Sequence, residues 1–250
     1  VHDTEHLYGR NAVREALRAN RRRFIRLTLS ESLDPERRVQ EIRELAAMRQ
    51  IPTHAVVRSA LDSLVNGHHQ GVVLEASTYR YAPAGELAML AAERAVLLAL
   101  DDIQDPQNLG TLLRTAEAVG VRLVVLPTDR AAGITPAVVN ASSGAVEHLR
   151  VAQEVNLARW LGRARQAGFW IIGMAEGEHS QSLFDTSMVP PLVLVVGSEG
   201  RGLRRLVREA CDVLVSLPMR GRVESLNAAV AGSIGLYEIL RDAEEADAPA

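Results

Sequence analysis

The chain has 250 residues, 47% of them apolar and 24% charged, with a formal net charge of −3. That composition builds the core of one large or two smaller domains, excludes wholesale disorder, and leaves nucleic-acid binding to local basic patches rather than net charge. All 28 basic residues are arginine, which excludes lysine Schiff-base chemistry, and the single cysteine, Cys211, excludes an intrachain disulfide and a cysteine-rich zinc site.

LYGRNAVREALRANRRRFIRLTLSES predicts a turn, a helix capped by Asn11 with Val13, Ala16 and Leu17 inward, and a strand over Phe24 to Leu29. Asp34-Pro35 predicts the start of a second helix running to about Gln50, with Val39, Ile42, Leu45 and Ala46 inward. Short β-prone pieces at 53–57 and 72–76 flank a small helix at 59–64. The expectation is a compact α/β unit over residues 4–76. Arg21, Arg22 and Arg23, with Arg10, Arg14, Arg18 and Arg26 nearby, form the densest basic cluster. It is either a phosphate-contacting patch or a solvated helix face and turn, and the second is the better reading of an isolated charge run. His68 and His69 are adjacent, so they share no helix or strand face and do not suggest a metal pair; a polar loop that binds RNA or packs on the second domain fits better.

A boundary is expected at 77–91, around Pro83 and Gly85. Beyond it, over 92–245, apolar runs of strand length at 95–100, 123–126, 169–174, 192–196 and 213–217 alternate with helical stretches at 110–119, 156–167 and 203–210. Continuous apolar strands alternating with helices predict a parallel sheet covered on both faces, with ligands bound beyond the strands' carboxyl ends.

Three segments follow strands there. LDDIQDPQNLGTLLRTAEAVGV carries Asn108 and Arg114; alone, these are better read as a helix N-cap and a surface charge than as pocket residues. VVGSEGRGL places Gly197, Gly200 and Gly202 at a spacing that is neither a dinucleotide fingerprint nor a Walker loop. Its Glu199 would repel phosphate but hold a hydroxyl, an amine or an arginine. LPMRGRVESLNAAVAGSIGLYEILR turns through Pro218 and Gly221 into a helix capped by Ser225, with Leu226, Val230, Ile234 and Tyr237 on one stripe. Gly232 and Gly235 weaken that helix by about 1 kcal/mol each, which implies another backbone packed closely against it. Ser225 stands in no G-x-S-x-G context, so hydrolase chemistry is not favoured.

Taken together and in this order, these three segments resemble the motifs of the SpoU, or TrmH, family of RNA 2′-O-ribose methyltransferases in the SPOUT superfamily. LYGRNAVREAL and HHQGVVLEA resemble that family's L30e-like RNA-binding domain, and the layout is most similar to the bacterial 23S rRNA guanosine 2′-O-methyltransferase branch. The resemblance implies S-adenosylmethionine as methyl donor, a C-terminal trefoil knot and a homodimer. It places cofactor contacts at Gly197, Leu217 and Leu226, with Pro218 and Ser225 adjacent. It matches Asn108, Arg114, Glu199, Ser225 and Asn227 to catalytic or substrate-positioning residues, and leaves Arg10, Arg21, Arg22 and Arg23 as the RNA-binding candidates. It implies no metal. A cytoplasmic protein is expected, since no apolar run reaches the roughly 18 residues of a membrane span and the polar opening stretch has no secretory pattern. The alternatives are a tRNA methyltransferase, a non-catalytic RNA binder and, weakest, a nucleotide-dependent oxidoreductase.

Overall fold

The computed structural model describes residues 4–34, 36–129, 131–177, 180–223 and 225–247, so Pro35 lies outside the described residues. The chain divides into two compact units: residues 1–80 with 133–148, and 81–132 with 149–250.

In the first unit, β1 (Thr4–Tyr8), α1 (Arg10–Ala19), β2 (Phe24–Ser30), α2 (Arg37–Met48), β3 (Thr53–Val56), α3 (Arg58–Leu64) and β4 (Val72–Ser77) follow in order. The sheet order is β1-β4-β2-β3, with only β2 and β3 parallel. Ala12, Val13, Ala16 and Leu17 form the buried stripe of α1. The helix starts a residue before the expected Asn11 cap, after Gly9, whose φ of 89° suits glycine.

The residues 133–148 that join this unit carry a short helix after a strand of the second unit. Gly144 is required there, because a Cβ would lie 2.6 Å from Glu15 Cβ and 3.1 Å from Ala12 Cα. Next to it, Glu147 is buried and takes two hydrogen bonds from Arg22, at 2.9 and 2.7 Å. Arg22 also bonds Glu5 and the Ser77 carbonyl, and its guanidinium lies 5.3 Å from the centre of the Tyr79 ring. Arg22 is therefore a buried structural cation and not part of a phosphate-contacting patch. Burial raises the Glu5 pKa, with Arg22 pulling against it. His69 is likewise internal: Nε2 meets Asp62 at 2.8 Å and Nδ1 accepts from the Gly71 amide.

The second unit contains α4 (Leu87–Ala92), β5 (Val96–Asp101), α5 (Pro106–Ala118) and β6 (Leu123–Pro127). After α6 (Pro136–Ala141), the short helix given to the first unit, come β7 (Val151–Glu154), α7 (Leu157–Gln166), β8 (Trp170–Met174) and β9 (Gln181–Ser182). The chain ends with β10 (Leu192–Gly197), α8 (Arg205–Glu209), β11 (Val213–Ser216) and α9 (Ala228–Asp247). The seven strands form an all-parallel sheet in the order β7-β6-β5-β10-β8-β11-β9.

Strand residues alternate between two helical layers. Leu97, Ala99, Val193 and Val195 join the core built with Leu87, Leu90, Leu157, Trp160 and Leu161. On the other face, a Cβ at Gly232 of α9 would lie 2.6 Å from Leu112 of α5 and 3.1 Å from Val196 of β10. The glycines of the last helix thus admit neighbouring side chains rather than a neighbouring backbone. That helix also buries a different stripe from the expected one: Ala229, Leu236 and Ile239 are inside, while Leu226, just before it, and Val230 and Tyr237 are exposed.

Candidate active site

Beyond the carboxyl ends of β5, β10 and β11, three distant segments come together. Asp101 closes β5 level with Gly197 at the end of β10. Its carboxylate is fully buried and accepts from the Arg204 main-chain amide at 2.8 Å and from Arg204 Nε at 2.6 Å. An unpaired charge there would be strongly destabilising, so the pair clamps the loop after β10 onto β5. The loop folds back on itself, with the Gly202 amide donating to the Ser198 carbonyl at 2.9 Å and positive φ at Gly200 and Gly202. A Cβ at Gly197 would stand 2.3 Å from the Gly202 carbonyl carbon, so only glycine fits.

Asn227 joins the segments. Its Oδ1 accepts from the amides of Ala229 at 2.9 Å and Val230 at 3.3 Å, which caps α9. Its Nδ2 donates to Asn108 Oδ1 at 2.9 Å and to Glu199 Oε2 at 3.0 Å. All four hydrogen-bonding positions of the amide are thereby used in one orientation. The cap expected at Ser225 falls two residues later, and Ser225 is exposed on the approach to the helix. Asn108 is not a cap either. Asp105 caps α5, accepting from the amides of Gln107 and Asn108, and this leaves the Asn108 side chain to the junction.

Two cavities open around this junction. A cleft of about 440 Å³ is lined by Gly197, Leu217, Ser225 and Leu226, with Met174, Val196, Met219 and Ala228. A smaller cavity of about 320 Å³ is lined by Asp102, Ile103, Gln104, Asp105 and Asn108, and shares Ser198, Glu199 and Arg201 with the cleft. Ser198 Oγ is buried without a hydrogen-bond partner among the described residues, which leaves it for a polar ligand atom. Pro218 is exposed beside Leu217 and lines neither cavity. Arg114, exposed on α5, also lines neither; six residues along a helix turn it about 120° from Asn108. Cys211 is no nucleophile: burial, aided by Asp212, pushes its thiol up to about 12. No group of three or more His, Cys, Asp or Glu that would hold a metal ion occurs among the described residues.

The other expected RNA contacts belong to the first unit. Arg10 is held by Gln70 and by Glu36 at 2.6 Å. Arg21 and Arg23 are exposed, and Arg21 donates to the Glu147 carbonyl. Sequence reasoning missed Asp101, Asp102 and Arg204; the available signal was a pair of aspartates closing an otherwise apolar strand.

A parallel sheet with a cleft beyond its carboxyl edge, in a chain with a second small α/β unit, defines an α/β protein with a ligand-site geometry at the strand ends. Residues 95–237 match the SpoU rRNA Methylase family, and residues 6–82 match the RNA 2′-O ribose methyltransferase substrate binding family. The chain belongs to the SpoU rRNA methylase family. It is 44% identical over 242 residues to the 23S rRNA (guanosine-2′-O-)-methyltransferase RlmB of Pseudomonas aeruginosa, covering 95% of this chain and 96% of that one. It is 42% identical over 241 residues to the putative TrmH family tRNA/rRNA methyltransferase YacO of Bacillus subtilis, covering 95% of each. The crystal structure of the SpoU methyltransferase AviRb from Streptomyces viridochromogenes in complex with AdoMet is similar with a TM-score of 0.76 and 25% identity, covering 95% of this chain and 90% of that one. The TrmH/SpoU tRNA modifying enzyme of A. aeolicus is similar with a TM-score of 0.55 and 25% identity, but covers only 65% of this chain and 83% of its own.

Proposed function

We propose that the chain transfers a methyl group from S-adenosylmethionine to a ribose 2′-hydroxyl of RNA, with a guanosine of 23S rRNA as acceptor. The observation that carries this reading is the Asn108–Asn227–Glu199 junction, set where the two cavities meet. The larger cleft is within the range of small-molecule sites. Its apolar wall at Leu217 and Leu226 and the unpartnered Ser198 hydroxyl suit a cofactor that is part apolar and part polar. Gly197, Leu217, Ser225 and Leu226 would hold that cofactor, with Pro218 shaping the loop. When bound, S-adenosylmethionine supplies an electrophilic methyl group. The protein's own task is to orient the 2′-hydroxyl and ease loss of its proton. Asn227, its own amide fully used, holds Asn108 and Glu199 in place, and these two fix the acceptor. Arg114, exposed on α5 outside both cavities, binds a phosphate of the RNA strand and is not a base, since a guanidinium keeps its proton.

The first unit carries the RNA. With Arg22 inside, the basic surface is Arg21 and Arg23, together with a groove of about 440 Å³ where Arg10, Arg38, Arg58 and His68 stand beside Asp34 and Glu36. Two units in one chain favour ribosomal RNA over tRNA, because the tRNA enzyme named above matches only 65% of this chain. Exposed Val223, Leu226, Val230 and Tyr237 support a homodimer built on this apolar face. The placing of β10 between β5 and β8, with α9 packed on α5, supports a trefoil knot. No helix of the described residues is long and apolar enough to cross a membrane, and we place the protein's work in the cytoplasm with its RNA. The test is incubation of the purified protein with methyl-labelled S-adenosylmethionine and unmodified 23S rRNA, followed by alkaline hydrolysis. Label in an alkali-resistant dinucleotide containing 2′-O-methylguanosine is expected; label in a base would contradict the reading.

A further inference from the structure

We propose that the 320 Å³ cavity receives the acceptor base and that Asp102 selects guanine there; this rests on the methyltransferase reading above. The acceptor ribose must lie within reach of the cofactor's methyl group. The cavity that shares Ser198, Glu199 and Arg201 with the cofactor cleft is therefore where the acceptor nucleoside belongs. Its size, about 320 Å³, suits one nucleoside.

Three carboxylates line this cavity. Both Asp105 oxygens accept from the first-turn amides of α5, and Glu199 is exposed with one oxygen held by Asn227 in the junction. Asp102 differs. It is only 8% exposed, a Gln104 side-chain amide holds its Oδ1 at 2.8 Å, and its second oxygen has no hydrogen-bond partner among the described residues. A carboxylate is an acceptor-only group. Guanine alone among the four bases presents two neighbouring donors, N1–H and the N2 amino group, on its Watson–Crick edge. Adenine and cytosine each place a ring acceptor beside their amino group, and uracil sets its one N–H between two carbonyls. A carboxylate at position 102 pairs with the first and repels the others.

The experiment measures single-turnover methyl transfer to short RNAs carrying guanosine, inosine or adenosine at the acceptor position, with S-adenosylmethionine affinity measured separately by calorimetry. The native protein is expected to favour guanosine over inosine, which lacks the N2 amino group, by about 10- to 100-fold, and to reject adenosine more strongly. Asp102→Asn should bind S-adenosylmethionine normally and lose the guanosine-over-inosine preference. Asp102→Gly should do the same; residue 102 has a φ of 62°, which glycine adopts freely, so this variant keeps the fold. Either variant retaining the native preference overturns the role of Asp102. A native protein that methylates guanosine and inosine equally also overturns it, while leaving the methyltransferase reading intact. A native protein that transfers no methyl group to ribose overturns both.

Discussion

Asn227 shows how one side chain serves fold and site together. Its amide oxygen caps α9 and its amide nitrogen ties Asn108 to Glu199, so helix start and site geometry cannot vary independently. From the sequence, Ser225 looked the better cap, because a serine before a helical run is a common local signal. What decides between the two is contact with residues 119 and 28 positions away, which no local pattern carries. Asn108 shows the reverse: Asp105 took the capping role, with Pro106 opening the helix, freeing a residue whose isolated reading was a cap. Cys211 gives a prediction at this scale. Burial lifts its thiol from 9.0 to about 12, so the folded state holds its proton where the unfolded state has lost it. Thiolate absorbance near 240 nm should therefore be absent in the folded protein at pH 10 and present in urea. Stability should fall as pH rises above the unfolded thiol's value toward the folded one.

Among the elements, the strands were the most legible part of the chain. β5, β6, β8 and β10 are apolar runs because both faces of the sheet are covered there, and that pattern survives in sequence without any partner; β11 is apolar but only Val215 of it is fully buried. β7 and β9 were not anticipated: they are four and two residues long, too short to carry a pattern of their own. The stripe on α9 was misread because the first half of its buried face is small, Ala229, Gly232 and Gly235, and carries little hydrophobic signal beside Val230 and Tyr237; the large buried residues, Leu236 and Ile239, come only later. The loop after β10 yields a prediction at this scale. Gly197→Ala drives a Cβ into the Gly202 main chain, which cannot yield without unfolding the loop. S-adenosylmethionine binding, measured by calorimetry, should fall at least about 100-fold, and the variant should lose about 1–3 kcal/mol of stability in urea titration. A variant that binds normally would show that this tight turn does not shape the cleft.

Across the whole molecule, two α/β units were legible from composition shifts and strand–helix alternation. The place of residues 133–148 was not. They lie in chain order between β6 and β7 but group with the first unit, through Gly144 against α1 and Glu147 against Arg22. A charge run of three arginines gives no hint that its middle member is buried against a carboxylate 125 residues away. Arg22→Ala should destabilise this unit by about 3–5 kcal/mol, because it strands Glu147 and Glu5. The loss should be smaller at pH 5 than at pH 8. Burial already raises the Glu5 pKa, removing the cation raises it further, and a carboxyl with a raised folded-state value loses stability as pH climbs through that value. Thermal melts at the two pH values check this, and an equal loss at both would show that the stranded carboxylates do not govern it.

The claim beneath the rest is that Asn227 organises a methyl-transfer site and not merely a helix end. Asn227→Asp keeps the capping oxygen but replaces the donor that holds Asn108 and Glu199 with a second carboxylate oxygen, whereas Asn227→Ala removes the cap as well, at about 1 kcal/mol. The direct measurement is single-turnover 2′-O-methyl transfer by Asn227→Asp at saturating S-adenosylmethionine and RNA, beside its cofactor affinity and melting temperature. The predicted result is a transfer rate lowered about 100-fold or more, with cofactor affinity near native and a smaller loss of stability than in Asn227→Ala. Native transfer by Asn227→Asp would contradict the account.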